Sequence, residues 1–212
     1  AYAVVSYQTA WLKYYYPVEY MAALMTSVID NPGKVAEYIY SCRQMGIKIL
    51  PPDINHGYSS FSVDNGSIRY GLAAIKSIGR PVIKEIVAER KANGEFKNLK
   101  DFIERMSGKD INKRTIENFI KSGAFDELGG TRKQFMVIYV QILDQVNREK
   151  KNSMTGLMSL FAIVGEEQKS EFDIPLPNVG EYEESTKLAF EKEVLGIYLS
   201  GHPMEEYEEQ WR

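Results

Sequence analysis

The reading of the chain turns on Arg69–Arg90, RYGLAAIKSIGRPVIKEIVAER. Leu72, Ile75 and Ile78 recur at helical spacing, and Ile83, Ile86 and Val87 do so again after a break. The stretch reads as two short helices joined by a tight turn at Lys76-Ser77-Ile78-Gly79. The order apolar–Gly–basic–Pro in that turn has a physical sense. Gly79 can take positive φ and lets another group approach its backbone closely. Arg80 and Pro81 open the next helix, where proline is tolerated because its missing N–H would be unpaired anyway. The free N–H groups of that first turn, with the positive end of the helix dipole, form a seat for an anion.

Two helices around such a turn are the pattern of a helix-hairpin-helix, a module that grips nucleic-acid backbone without reading bases. Ser77 stands where the fuller pattern often has a second glycine, and a glycine between two amphipathic helices is also an ordinary turn. Charge distribution bears on the choice. The net charge of −3 divides into −1 over residues 1–68, +6 over 69–133 and −8 over 134–212. The positive block holds the turn, as expected where a protein's field meets phosphates, although lysines can equally form a solvated face.

Composition bounds the rest. At 212 residues, 44% apolar and 26% charged, the chain matches an ordinary globular protein of one large domain or two small ones. One cysteine and two histidines exclude a disulfide framework and any recognisable zinc site. Cys42 is expected in the core of a cytosolic protein. The longest apolar run, Phe135–Val140, falls far short of the roughly 18–20 residues needed to span a bilayer and reads as part of a buried helix. No charged-then-apolar leader is present. The first residues already read as mid-helix, so the chain is expected to be an excised piece of a longer one.

Along the chain, Tyr7, Trp11, Tyr14 and Tyr15 place an aromatic stripe on one face of a helix closed by Pro17. With the next helix, Val18–Val28, it reads as a packed pair in preference to a stacking platform for bases. Asn31-Pro32 caps a helix that Gly46 stops. Ile47–Leu50 is a short β-type segment, and Asn65-Gly66 between alternating apolar residues is a strong hairpin signal. Asn98 caps a helix with Leu99, Phe102, Ile103 and Met106 inward. Asn112–Ser122 forms another, with Ile116, Phe119 and Ile120 inward and Gly123 at its end, before a long helix from about Thr131 to Lys151. Helix, glycine turn and helix thus occur twice, at Ile78-Gly79 and Ser122-Gly123. Lys113, Arg114, Lys121, Arg132 and Lys133 give the second copy its own positive charge. Two related units would bind two neighbouring phosphate stretches of a duplex.

Residues 152–184 lose periodicity and read as a linker. Within it Leu157-Met158-Ser159-Leu160-Phe161 is an isolated apolar cluster, which suits either docking on its own domain or a partner's pocket. Ser185–Leu199 forms a last helix, stopped by Ser200-Gly201-His202-Pro203. No catalytic constellation emerges: the carboxylates are scattered, no nucleophile has a plausible base, and no glycine-rich loop follows a strand.

Several strings carry a resemblance. AYAVVSYQTAWLKYYYPVEYMAALMTS, LPPDIN, FSVDNGSIRYGLAAIKSIG, FIKSGAFDELG and FEKEVLGIYLSGHPMEEY resemble, in order, landmarks of the alpha subunits of bacterial DNA polymerase III, the C-family replicative polymerases. The resemblance covers essentially the whole chain. It implies a parent enzyme that extends a primer with deoxynucleoside triphosphates, using two Mg²⁺ ions held by palm aspartates that are absent here. It implies cytoplasmic location, no membrane, and as partners primer-template duplex DNA, a sliding clamp and other replisome subunits. By position, Ser77, Ile78, Gly79 and Arg80 would form the first backbone-gripping turn, flanked by Lys76 and Lys84. Ser122, Gly123 and Ala124 would form the second, with Lys113, Arg114 and Lys121 nearby. Leu157–Phe161 stands where the family places a clamp-binding peptide, typically Gln, any residue, Ser or Asp, Leu, Phe. Leu160 and Phe161 would fill the clamp's pocket, while Leu157 replaces the expected glutamine and removes a polar anchor.

The expected architecture is mainly α with one β-hairpin. Residues 1–68 would be the end of a fingers domain and 69–151 a tandem helix-hairpin-helix domain. Residues 152–184 would be a linker, and 185–212 a helix leading toward an oligonucleotide-binding fold. The expected role is sequence-independent duplex binding and clamp tethering, with no catalysis by this segment itself and no cofactor of its own. The alternatives are a stand-alone repair or junction-binding protein, and an interaction module whose basic face meets an acidic protein.

Overall fold

The computed structural model describes residues 2–154 and 174–204. Leu157–Phe161 lies outside them. The described elements are mainly helical: α1 (Tyr2–Tyr15), α2 (Pro17–Ser27), α3 (Pro32–Gln44), α4 (Arg80–Asn93), α5 (Leu99–Met106), α6 (Lys113–Ser122), α7 (Arg132–Met154) and α8 (Glu184–Leu195). Between α3 and α4 run β1 (Ile49–Leu50), β2 (Ser62–Asp64) and β3 (Ser67–Arg69). The hairpin forms as its turn residues dictate: Asn65 and Gly66 both take positive φ, 48° and 76°, the left-handed pair that matches strand twist. The sheet also has a third strand, β1, which lies within the expected β-type segment Ile47–Leu50 and whose partner the hairpin signal could not reveal. β1 lies parallel to β3, pairing Ile49 with Ile68 and Leu50 with Arg69. A domain boundary after residue 68 would therefore cut β3.

Local side-chain chemistry explains four of the eight described helix starts. Asn31, Asn98 and Asn112 each accept a hydrogen bond from the backbone N–H three residues on, at Lys34, Asp101 and Thr115, satisfying a donor that the helix leaves orphaned. A capping box starts α7: Thr131 N–H donates to Gln134 Oε1 at 2.9 Å and Gln134 N–H to Thr131 Oγ1 at 3.2 Å.

One apolar core runs from Met21 on α2 to Leu199 after α8. Edge-on phenylalanines bind its middle together. The Phe102 ring of α5 lies 5.0 Å from Phe96 and 4.9 Å from Phe125, and Phe125 lies 6.5 Å from Phe135 of α7. The described part of the terminal segment packs on the same core. Val194, Leu195, Ile197 and Leu199 are buried in that core, and α8 packs on α6.

Two expectations change. The first helix of the opening stretch is only a 3-10 turn, Leu72–Ala74. Its backbone donors go elsewhere: Leu72 N–H to Tyr58 O, Ala73 N–H to Ser59 O and Lys76 N–H to Val194 O. These long-range acceptors hold the stretch beside the sheet and α8 and compete with helix propagation. The aromatic stripe of α1 is also not a packed face. None of its residues is buried, and Tyr7, Trp11, Tyr14 and Tyr15 are all exposed. Trp11 makes ring contacts with Tyr15 and Tyr16 at 4.9 and 5.7 Å.

Candidate nucleic-acid interface

The two turns that look alike in sequence are built differently. At the first, Gly79 is the N-cap of α4, with φ −73° and ψ 140° and no side-chain cap. Positive φ belongs instead to Ser77, at 63°, where a side chain costs about 1–2 kcal/mol. The expectation of positive φ at Gly79 is therefore corrected to extended backbone. Its lack of a side chain is not demanded by the interior, because a Cβ there would meet only Pro81 Cδ, at 3.6 Å. Among the described residues, the N–H groups of Ser77, Gly79, Arg80 and Val82 have no protein acceptor. Lys76, Ser77, Gly79, Arg80 and Lys84 are exposed, while Ile78 is buried and anchors the turn.

The second turn is consumed by the fold. Gly123 is the left-handed C-cap of α6 at φ 82°, its N–H bonded to Ile120 O and Phe119 O. Ala124 N–H donates to Phe119 O at 3.0 Å, and Ala124 O accepts from Ile54 N–H at 3.0 Å. Ser122 and Ala124 are buried, and Ser122 Oγ donates to Phe119 O. A Cβ at Gly123 would collide with the Arg132 guanidinium and with Asp126 Oδ2. The anion seat at the start of α7 is filled from within: Glu181 accepts from the N–H groups of Arg132 and Lys133, each at 3.1 Å. Ser122, Gly123 and Ala124 thus present no free donor among the described residues.

Beneath that turn, Arg132 is nearly fully buried. Its guanidinium meets Asp126 at 2.8 Å and Glu191 at 3.3 Å. Burial alone would lower the Arg132 pKa, and these two carboxylates more than reverse that, raising it. The other Glu191 oxygen accepts from the N–H groups of Leu199 and Ser200. A polar network therefore locks α8 to the second turn.

What the second copy contributes is α6. A cleft of about 490 Å³ brings Lys76 and Ser77 of the first turn against Lys113, Arg114 and Lys121 of α6. Asn118 Nδ2 donates to Lys76 O at 2.8 Å and fixes the turn to that helix. Lys113 pairs with Asp144 at 3.5 Å across exposed surface. Arg80 lies toward Asp30, at 3.2 Å. Arg114 and Lys84 have no ion-pair or hydrogen-bond partner among the described residues. Lys121 is held by Glu117 and Glu193, both at 2.9 Å. Burial would lower its pKa, but those two partners outweigh it and raise the value. Sequence reasoning missed Glu117, Asn118, Glu193 and Val194, and Glu193 reaches the cleft from 72 positions beyond its partner Lys121. No local pattern signals such contacts.

Over this segment a family model described as "Helix-hairpin-helix motif" matches residues 46–135. Proteins named DNA polymerase III subunit alpha are 42% identical over 98% of the chain in Vibrio cholerae and 41% over 98% in Escherichia coli K12. Over its length the chain belongs with the DNA polymerase III alpha subunits. It spans about 18% of the length of those two relatives, and a Deinococcus radiodurans alpha subunit is 40% identical over 98% of it.

Among the described residues, Asp53, His56 and Glu127 bring ligand atoms within 4.8 Å of one another. Asp53 Oδ1 is already the acceptor for Asn55 N–H, His56 N–H and the His56 ring at 2.9 Å. Such a loop-building carboxylate is unlike the clamp of shared carboxylates that two adjacent ions require. These residues do not fit the pair of ions that the resemblance implies for the parent polymerase.

Proposed function

We propose that the first turn and α6 hold the backbone of duplex DNA, without regard to sequence, inside a replicative DNA-directed DNA polymerase. One observation carries this reading: the uncapped N-terminus of α4 opens its N–H groups beside a cleft lined with cations. Helix N-termini and lysines or arginines are the two groups that position a protein on phosphates without reading bases. Ser77, Gly79, Arg80 and Val82 offer the backbone donors. Lys76, Lys84, Lys113 and Arg114 supply the field. The whole protein would extend a primer with deoxynucleoside triphosphates and Mg²⁺ through residues outside this chain. It would do so in the cytoplasm among other replisome subunits, tethered to a sliding clamp through Leu157–Phe161. The named relatives support that setting.

The test is a titration of the chain with labelled duplexes of unrelated sequence at several salt concentrations. Binding should be indifferent to sequence and should fall with a log–log salt slope of about −2 to −4, as two to four phosphates shed counterions. Gly79→Val with Lys84→Glu should abolish it, since extended backbone accepts valine and the fold should stand. Undiminished binding by that folded variant rejects the assignment, and a strong preference for junctions over plain duplex moves it to the repair class. For the clamp, Leu160→Ala with Phe161→Ala should end association with the purified clamp, and absence of association in the parent chain rejects that part.

A further inference from the structure

Glu193 sits inside the cleft that the proposed function needs positively charged. We infer that its carboxylate is an internal counter-ion for Lys121, which a DNA phosphate displaces, so that Glu193 sets the affinity of the cleft for duplex. The inference rests on the DNA-binding reading above.

Three observations converge on this residue. Lys121 Nζ contacts both Glu193 oxygens, at 2.9 and 3.1 Å, while keeping Glu117 at 2.9 Å. A phosphate taking the place of Glu193 would meet the same donors and leave the Glu117 pair intact. The two partners also differ in exposure: the Lys121 side chain is 13% exposed and that of Glu193 57%. The lysine is therefore fixed, and the carboxylate can turn into water at little cost. Finally, the first turn itself holds this end of α8 in place. Lys76 Nζ donates to Glu193 O and Lys76 N–H to Val194 O, each at 2.8 Å. The acid is thus built into the cleft by the turn that would grip DNA, and its position does not depend on the conformation of its own side chain.

The experiment compares duplex affinity at fixed salt for the parent chain, Glu193→Gln and Glu184→Gln. Both variants change net charge equally. Glu184 lies about 13 Å farther along α8, beyond a Debye length of about 8–10 Å. Glu193→Gln should bind about fivefold tighter, the upper range for releasing an exposed ion pair, and Glu184→Gln should match the parent. In a Lys121→Met background the effect of Glu193→Gln should vanish, as a double-mutant cycle requires of residues acting on each other. Equal affinities for Glu193→Gln and Glu184→Gln, with the parent binding duplex, overturn the role of Glu193 and leave DNA binding standing. A gain that persists without Lys121 overturns the counter-ion pairing. No binding by any of the variants overturns both proposals.

Discussion

Replacing Gly79 by aspartate should make the protein more stable and worse at binding DNA. The three asparagine caps show what the fold does with a polar N-cap: each accepts from the N–H three positions on. At Gly79 the corresponding donor is Val82 N–H, which is open, and the extended φ of −73° suits any side chain. Space is also available, since only Pro81 Cδ lies near a Cβ. An aspartate cap adds a few tenths of a kcal/mol over glycine. Its charge at the positive end of α4 adds about 0.3–1 kcal/mol, and the lost freedom of the unfolded chain a further ~0.4–1 kcal/mol. The sum, about 1–2 kcal/mol, corresponds to a rise in Tm of about 2–8 °C for a chain of this size. The same carboxylate would fill the anion seat. Losing one charge-assisted hydrogen bond of about 1.5–3 kcal/mol weakens duplex binding at least about tenfold. Thermal melting and fluorescence anisotropy with a labelled duplex read the two effects separately. A lower Tm would show that the cap position is not open. A higher Tm with unchanged affinity would show that the seat holds no phosphate.

The second turn should behave oppositely. Gly123→Ala places a side chain at φ 82° against Arg132 and Asp126, and should cost at least about 1–2 kcal/mol in urea unfolding; a variant as stable as the parent would contradict the filled turn. A pH effect follows from Glu89. Hydrogen bonds from Lys109, Asn93 and Arg105 hold its pKa down, to about 2. A carboxylate depressed by folding adds stability above its ordinary pKa of 4.5 that is lost as pH falls toward 2. The stability difference between parent and Glu89→Gln should therefore be present at pH 6 and shrink steadily below pH 4.5, and a pH-independent difference would refute the pairing.

Helix starts were legible because their causes are local. Asn31, Asn98 and Asn112 announce α3, α5 and α6 through a bond spanning three residues, and Asn65-Gly66 announces a hairpin through its own backbone angles. The first helix of the opening stretch was misread for the converse reason. Leu72, Ile75 and Ile78 do have helical spacing and are buried, but the donors of Leu72, Ala73 and Lys76 are taken by Tyr58, Ser59 and Val194. The parallel pairing of β1 with β3 has no short-range signal at all. The exposed face of α1 was misjudged because helical periodicity reports which residues share a face and says nothing of whether a partner covers it.

The same distinction decides the candidate site. Ile78-Gly79 and Ser122-Gly123 share a pattern of apolar helix, glycine and basic helix, and pattern alone assigns them the same use. Their fates diverge through residues remote in sequence. Glu181 caps α7 and Glu191 binds Arg132, so the second turn has its anions built in. Among the described residues no carboxylate accepts from the backbone N–H groups at the start of α4, where Asp30 pairs only with the exposed Arg80 side chain and Gly79 supplies neither a cap nor an obstruction. The net charge of −8 over residues 134–212 thus has a structural use: its carboxylates neutralise one turn and, at Glu193, adjoin the other. On the proposed function, an asymmetric pair of this kind would grip phosphates from one turn only. The second turn would then serve to hold α6, with Lys113, Arg114 and Lys121, at a fixed place beside the first. If so, substitutions that loosen the Arg132–Glu191 network should weaken duplex binding by displacing α6, although neither side chain touches the cleft.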